Sequence, residues 1–405
     1  MSGRTPWLPI SEASPFPISN LPYGAFSVGG PASPRSLGVA VGDFVLDLGA
    51  AARAKGSPFV ELVTGPVLNP LMAAGRESWA EVRDSVTEWL VEPRHRESIE
   101  PHLVPSDQVT MHLPFDLADY VDFYSSEHHA ANAAAILRPG ADPLPPQWRH
   151  MPIGYHGRAG TVAVSGSPVK RPSGQVRLER APGSEFRPTR ALDFEVEVGF
   201  VVGLGSRPGE PVPVASFDDH VFGVVIVNDW SARDIQAWEY VPLGPFLGKS
   251  FLTTISPWIV PLAALEAARI ASPPRLTPLL PHLDDRGSRC GLDIRLEVSL
   301  NGEVISRPPF SAMYWTAAQQ VAHMTSNGAF LRCGDLFASG TVSGPEPDQV
   351  GSLLELSWGG TRPFSTADGV THTYLDDGDE VVISAHAPAI GGGTLGLGEV
   401  RGRVE

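Results

Sequence analysis

The sequence predicts a mainly β fold built from two or three domains. Composition is the first reason. Among 405 residues there are 42 glycines and 40 prolines, together about a fifth of the chain against a usual ~12%. Proline lacks an N–H and breaks helix interiors, so this composition argues against a helical bundle or coiled coil and suits short strands joined by ordered loops. The share stays under the ~25–30% that marks low-complexity disorder, and 42% of residues are hydrophobic, enough for a sizeable core. Length is the second reason, since ~100–200 residues per domain leaves room for two or three. Pattern is the third: apolar runs are short, and strand-like segments outnumber the three with helical spacing.

The elements follow in order. Met1-Ser2-Gly3-Arg4-Thr5-Pro6 has no apolar core of the kind a signal peptide needs. Residues 14–48 read as turns and short strands, with loose alternation from Gly38 to Leu46. Trp79, Val82, Val86, Trp89 and Leu90 recur at helical spacing and predict a helix over 77–91, stopped by Pro93. Arg94-His95-Arg96 reads as a solvated helix end. Pro105 and Pro114 flank a polar seam, which places a boundary between domains 1–117 and 118–405. Strands then dominate, at 193–202, 219–228, 292–300, 351–358 and 380–386. Short helices are expected near 231–239 and 316–326. The second has Thr316 and Gln319 as a capping-box pair and Asn327-Gly328 as its stop.

Composition also narrows function. A net charge of −15 disfavours nucleic acid and anionic membranes, which need a positive surface. The densest apolar run, Phe222 to Val227, falls far short of the ~18 residues of a membrane span. Cys290 and Cys333 are too few for a disulfide framework or a Cys-rich zinc site and read as buried small apolar residues. A soluble cytoplasmic protein is expected.

Several segments carry groups suited to chemistry. In a strand, Asp193, Glu195 and Glu197 line one face while Phe194, Val196 and Val198 pack on the other. Carboxylates spaced roughly 7 Å apart can share a hard cation at about 2.0–2.6 Å; the alternative is a solvated edge strand. Phe222–Val227 reads as a strand buried on both faces, ending at Asp229, which is either a helix cap or a site residue. Ser231 with Asp234 makes a plausible cap pair. Arg233, Gln236 and Tyr240 then align on one helix face, either to receive an anionic or carbonyl ligand or as an ordinary exposed face. Gly244-Pro245-Phe246-Leu247-Gly248-Lys249-Ser250 only superficially resembles a phosphate loop, because the glycine spacing is wrong. Between Asp119 and His129, acids, phenols, hydroxyls and two histidines crowd together. This is either a general-base site or a polar loop. His112, His282, His323 and His372 read as structural.

The spellings of these segments go further. Asp122-Phe123-Tyr124-Ser125-Ser126 with His129, Gly154-Tyr155-His156-Gly157-Arg158-Ala159 and Asn228-Asp229-Trp230-Ser231-Ala232-Arg233-Asp234-Ile235-Gln236 resemble the fumarylacetoacetase family. So do Gly244 to Phe251, Ala338-Ser339-Gly340-Thr341-Val342-Ser343-Gly344 and Leu353-Leu354-Glu355-Leu356-Ser357-Trp358. Asn20-Leu21-Pro22-Tyr23-Gly24 carries the resemblance into the N-terminal part, so that it covers roughly residues 7–403. The broader hydrolase superfamily usually lacks that part.

The resemblance implies a small SH3-like β-barrel N-terminal domain followed by a mixed β-sandwich roll that holds the active site and forms a homodimer. It implies hydrolysis of a carbon–carbon bond in a dicarboxylate 1,3-diketo acid, 4-fumarylacetoacetate, to fumarate and acetoacetate. That is the last step of tyrosine and phenylalanine degradation. A hydrolase of a related diketo acid, or an inactive binding homologue, is the alternative. Asp122, Glu195, Glu197 and Asp229 would ligate Ca²⁺ or Mg²⁺. His129 would be the base, polarised by Glu355. Arg233, Gln236 and Lys249 would surround the developing oxyanion. Tyr124, Arg138, Tyr155, Tyr240 and Thr341, with Arg233 and Gln236, would hold substrate. Lys249 and Thr253 are associated with a second cation contact, where Leu252 replaces the family's frequent glycine. Glu127-His128 also departs from the family's usual pair before the base. With that ion partly neutralising the four carboxylates and Arg138, Arg233 and Lys249 adding positive charge, the pocket is expected to be locally cationic despite the acidic chain.

Overall fold

Five short strands open the chain and pair antiparallel in the order Leu103–Pro105, Phe44–Asp47, Ser36–Val41, Tyr23–Val28 and Val109–His112. The structure is a computed structural model and describes residues 6–140, 142–178, 181–275, 277–367 and 369–405. Most of the N-terminal stretch read for a signal peptide, residues 1–5, lies outside those residues. The loose alternation of 38–46 is a hairpin whose strands meet at Val41 and Phe44. The expected early helix spans Arg76–Val91 and buries Val82, Val86, Trp89 and Leu90. A short 3-10 turn starting at Pro93 follows it.

The rest of the chain is organised around an eight-stranded mixed sheet. Its main path runs Gly154–His156, Asp119–Phe123, Asp335–Ala338, Val196–Val202, Val221–Asp229, Thr253–Ile255 and Val162–Val164, and Val260–Pro261 joins Val221–Asp229 from the side. Two of the pairings are parallel: Asp335–Ala338 with Asp119–Phe123, and Thr253–Ile255 with Val162–Val164. Val196, Val198, Phe200 and Val202 pack on one face, in a core shared with Leu296, Val298, Val381 and Ile383. Those four come from a second, four-stranded antiparallel sheet. On the opposite face Val201, Val225, Val227 and Leu336 share a core with Tyr23, Leu37, Val82 and Val86. The central strands are thus buried on both sides, as a continuous apolar run requires. The solvated-edge alternative for 193–198 does not hold.

Four expectations need correction. Helix, including 3-10 turns, makes up 26% and strand 29% of the described residues, so helix is more abundant than a mainly β reading implies. Residues 351–358 do not form a strand: Leu353–Leu356 is a single helical turn capped by the Ser352 hydroxyl. Its Leu-Leu-Glu-Leu pattern is too short to distinguish the two periods. Residues Glu127–Leu137 form a helix with Ser126 as its N-cap, not a polar loop. Its alanines supply strong helix propensity. The helix Ala317–Thr325 has the expected Thr316–Gln319 capping box. Cys290 and Cys333 are free and half-buried, not fully buried. Among the described residues, no helix is long and apolar enough to cross a membrane.

Candidate active site

At one end of the central sheet, on the face shared with the N-terminal layer, the side chains of Asp122, Glu195, Glu197 and Asp229 converge. All four are buried, and each offers an oxygen within 4.8 Å of the others. They come from neighbouring strands or the residues just outside them. Asp122 lies beside Ala338 in register, Ala338 beside Gly199, Glu197 beside Val227, and Asp229 beside Thr253. Asp229 therefore acts at a strand end and caps no helix.

Two buried cations neutralise part of this charge. Lys249 Nζ donates to Glu195 Oε2 and, at 2.6 Å, to Asp229 Oδ2. Arg233 Nε donates to Asp193 Oδ2 at 2.7 Å, and its Nη1 lies 2.7 Å from Glu195 Oε1 and 3.1 Å from Gln236 Oε1. Thr253 Oγ1 and Tyr155 OH donate to Asp229 at 3.0 and 3.2 Å. Lys249 thus points into the carboxylates, away from any phosphate-loop role, and Thr253 and Lys249 both meet Asp229. The Ser231–Asp234 cap pair does not form: Ser231 Oγ donates to the Asp229 carbonyl, and Asp234 accepts from Arg187 and Thr189.

What remains unpaired is informative. Asp122 Oδ1 and both oxygens of Glu197 are buried without a hydrogen-bond partner. Orphaned carboxylate oxygens in a dry site are costly unless a cation or proton compensates. Burial, then the Asp229 charge, pushes the Asp122 carboxyl well above the usual carboxylate range. Burial, then Asp122, does the same to Glu197. Burial raises Asp229 as well, against the opposing pull of Lys249. For Glu195 burial also acts upward, but Lys249 and Arg233 outweigh it and hold the group well below its ordinary value. An all-oxygen donor set with unpaired, electrostatically frustrated oxygens fits a hard divalent cation. With Asp193 included, five carboxylates lie around Lys249 and Arg233, so the expected cationic balance depends on a bound divalent ion and on Arg138 as well.

The histidine is built into the same region. Ser126 Oγ accepts from His129 N at 3.1 Å, which fixes the residue in the first turn of its helix. His129 Nδ1 lies 2.7 Å from Glu355 Oε2. A carboxylate only accepts, so Nδ1 carries the proton and Nε2 is left as the basic nitrogen. Glu355 is held in turn by Asn132 Nδ2 at 3.0 Å, Ser343 Oγ at 3.0 Å and Ser352 Oγ at 2.9 Å. Burial would raise Glu355, but His129 and these donors keep it below its ordinary value. The ring of Tyr124 meets His129 edge-on at 5.4 Å. Thr341 is buried and follows Gly340, whose backbone sits against Phe123 and Tyr124. Arg138 is exposed at the end of the His129 helix, near enough to Tyr124 to act on it electrostatically. Tyr240 is exposed at the end of the helix Arg233–Glu239. Arg233 Nη2 is buried and has no partner, a donor free for a ligand oxygen.

Asn132, Ser343, Ser352 and the anchoring role of Asp193 were missed by sequence reasoning. Asn132 lies three residues beyond His129, on the same helix face, and that spacing is the one signal that could have found it.

Comparison with known proteins identifies the family. The model described as fumarylacetoacetate (FAA) hydrolase C-terminal matches residues 120–405, and that described as fumarylacetoacetase N-terminal matches residues 19–114. The chain belongs to the fumarylacetoacetate hydrolase family. Members of that family similar to it include the fumarylacetoacetases of Bos taurus and Homo sapiens. Each is 44% identical, with 98% of this chain and 98% of the relative covered. Among solved structures, the fumarylacetoacetate hydrolase of Exiguobacterium antarcticum shares the fold with a TM-score of 0.54 at 18% identity, over 95% of this chain and 99% of that one.

Proposed function

We propose that this protein is a metal-dependent fumarylacetoacetase, hydrolysing 4-fumarylacetoacetate to fumarate and acetoacetate at the close of tyrosine and phenylalanine degradation. The observation that carries the reading is a His129–Glu355 pair beside a buried four-carboxylate cluster with unpaired oxygens. A base, a hard-cation site and oxyanion donors are what hydrolysis of a carbon–carbon bond needs.

Asp122, Glu195, Glu197 and Asp229 would hold Ca²⁺ or Mg²⁺. When bound, the ion supplies Lewis-acid polarisation of the diketone oxygens and stabilises an enolate leaving group. The protein groups do the rest. His129 Nε2 takes a proton from water while Glu355 holds the ring and stabilises its charged form. Arg233, through its free Nη2, together with Lys249 and Gln236, faces the oxygen on which negative charge develops. Tyr124, Arg138, Tyr155, Tyr240 and Thr341 orient the substrate's carboxylates and carbonyls. Lys249 and Thr253 border the second cation contact.

The finer architecture belongs to the same proposal: an SH3-like barrel over 1–117 and a β-sandwich roll over 118–405. So does a homodimer, supported by the exposed Val241, Leu243, Phe246 and Leu247. Two free thiols support a reducing, cytoplasmic setting.

The direct test follows the ultraviolet absorbance of the diketone after fumarylacetoacetate is added. The protein is assayed as prepared, after chelation, and after Mg²⁺ or Ca²⁺ is restored. Decay that stops on chelation and returns with the ion is expected. No decay under any metal condition rejects the reading.

A further inference from the structure

Asp193 is the one carboxylate of its strand face that stays out of the metal cluster. It is completely buried, and every lone-pair direction it has is used. Oδ1 accepts from Leu353 N at 2.7 Å and Phe194 N at 2.8 Å. Oδ2 accepts from Leu354 N at 3.0 Å and Arg233 Nε at 2.7 Å. An ionised carboxylate has about four acceptor sites, so none is left for a metal or a substrate.

Phe194 is its own chain neighbour; the other three partners belong to both halves of the site. Leu353 and Leu354 open the helical turn Leu353–Leu356, and Glu355 lies in that turn. The first N–H groups of any helix lack intrahelical partners. Here a carboxylate from a distant strand takes two of them, and Ser352 Oγ takes the Glu355 N–H at 3.4 Å. The turn is therefore pinned in position by Asp193, and Glu355 holds the His129 ring from it. On its other side, Asp193 fixes the Arg233 guanidinium by Nε. Glu195 takes Nη1, and Nη2 is left pointing free. A guanidinium is planar and rigid, so two anchored nitrogens dictate where the third points.

We propose that Asp193 is a positioning residue that ties the Arg233 guanidinium to the helical turn bearing Glu355, holding the oxyanion donor and the base in one fixed relative placement. It touches no substrate and acts through these two partners. The inference rests on the hydrolase reading above, with Arg233 as oxyanion donor and His129 as base.

The test uses the metal-loaded full chain. Asp193→Asn keeps the volume but turns an amide N–H₂ toward donors. Asp193→Ser leaves room for a water to bridge the same N–H groups. Two quantities are read: kcat and KM on fumarylacetoacetate, and the proton resonance of His129 Nδ1–H. That resonance moves far downfield in a charge-assisted bond to a carboxylate and is measured without substrate. Folded variants are expected to lose about 10²-fold in kcat with KM within ~3-fold, and to shift or broaden the resonance. In an Arg233→Lys background, Asp193→Asn is expected to cost less in kcat than it does in the wild type, because its hold on the guanidinium is already broken, and still to move the resonance, because its hold on the helical turn is not.

A folded variant within ~3-fold of wild-type kcat and with an unmoved resonance overturns the proposal. So does a kcat loss undiminished in the Arg233→Lys background. If neither variant folds, Asp193 is structural and the proposal also fails. A wild-type protein that turns over nothing would instead reject the hydrolase reading, and the resonance still reports on the Asp193 link by itself.

Discussion

His129 Nδ1 and Glu355 Oε2 lie 2.7 Å apart although 226 residues separate them in the chain. The pair is dry on both sides, with side-chain exposures of 4% and 0%. Three further donors, from Asn132, Ser343 and Ser352, spread the carboxylate's charge. A ring held this firmly presents one nitrogen in one direction.

His129→Gln is therefore expected to abolish turnover while divalent-ion binding, followed by calorimetry, stays near wild type, since His129 supplies no oxygen to the cluster. Glu355→Gln keeps the shape but removes the charge that stabilises a protonated ring, and a loss of about 10²–10⁴-fold in kcat is expected. A His129→Gln enzyme with near wild-type turnover would remove His129 from the base role.

The unpaired oxygens of Asp122 and Glu197 predict coupling between metal and protons. Both groups have folded-state affinities for a proton above those of an unfolded chain. The metal-free fold therefore holds more protons than the unfolded chain, and its stability falls as pH rises above ~4. A divalent ion displaces those protons, so its binding tightens over the same range. Melting temperatures of chelated and ion-loaded protein, measured from about pH 5 to 8, are expected to diverge as pH rises. Asp122→Asn with Glu197→Gln should flatten the chelated curve. A gap of constant width would contradict the assignment.

Much of this site is legible locally. Alternation puts Asp193, Glu195 and Glu197 on one strand face, and the structure has Asp193 and Glu195 sharing Arg233. The apolar run before Asp229 marks a strand covered on both sides, which is why its terminal carboxylate is buried. Other features are not local. Periodicity cannot say that Glu355 lies in a helical turn, because Asp193, 160 residues away, supplies the acceptor for the Leu353 N–H. Nor can it say that the Glu127–Leu137 segment is helical from its polar start alone, where the Ser126 cap decides. The His129–Glu355 pairing is suggested by family resemblance and by nothing in the spacing.

Lys249 sits between Glu195 and Asp229 and is buried with them. Burial lowers its proton affinity, yet Asp229 and Glu195 more than compensate and keep it charged. Lys249→Met would leave two buried carboxylates short of a partner. Breaking such a pair costs about 3–5 kcal/mol, so denaturant unfolding of the metal-free variant should show a loss on that order. An added divalent ion should recover part of it. Turnover should fall by about 10²–10³-fold if Lys249 also faces the oxyanion. A variant as stable as wild type without metal would mean that these carboxylates are protonated when Lys249 is absent.

Gly340 joins the strand Asp335–Ala338 to the segment carrying Thr341 and Ser343 and packs against the end of the strand Asp119–Phe123, which carries Asp122. Its φ is +76°, and a Cβ there would stand 2.1 Å from the Phe123 carbonyl oxygen and 3.0 Å from Tyr124 Cα. Those are backbone atoms, which cannot turn aside as a side-chain tip can. Gly378 is the control: its φ of +94° is equally unfavourable for other residues, but a Cβ there meets nothing within 4 Å. Gly378→Ala should cost about 1 kcal/mol from backbone strain and leave turnover unchanged. Gly340→Ala must add the displacement of Phe123 and Tyr124, and with them Asp122 and the approach to His129. It is expected to lose more stability than the control and at least ~10-fold in kcat/KM, since small misplacements of reacting groups are expensive. Equal effects of the two substitutions, measured by thermal unfolding and turnover, would show that the close approach at Gly340 does not hold the site.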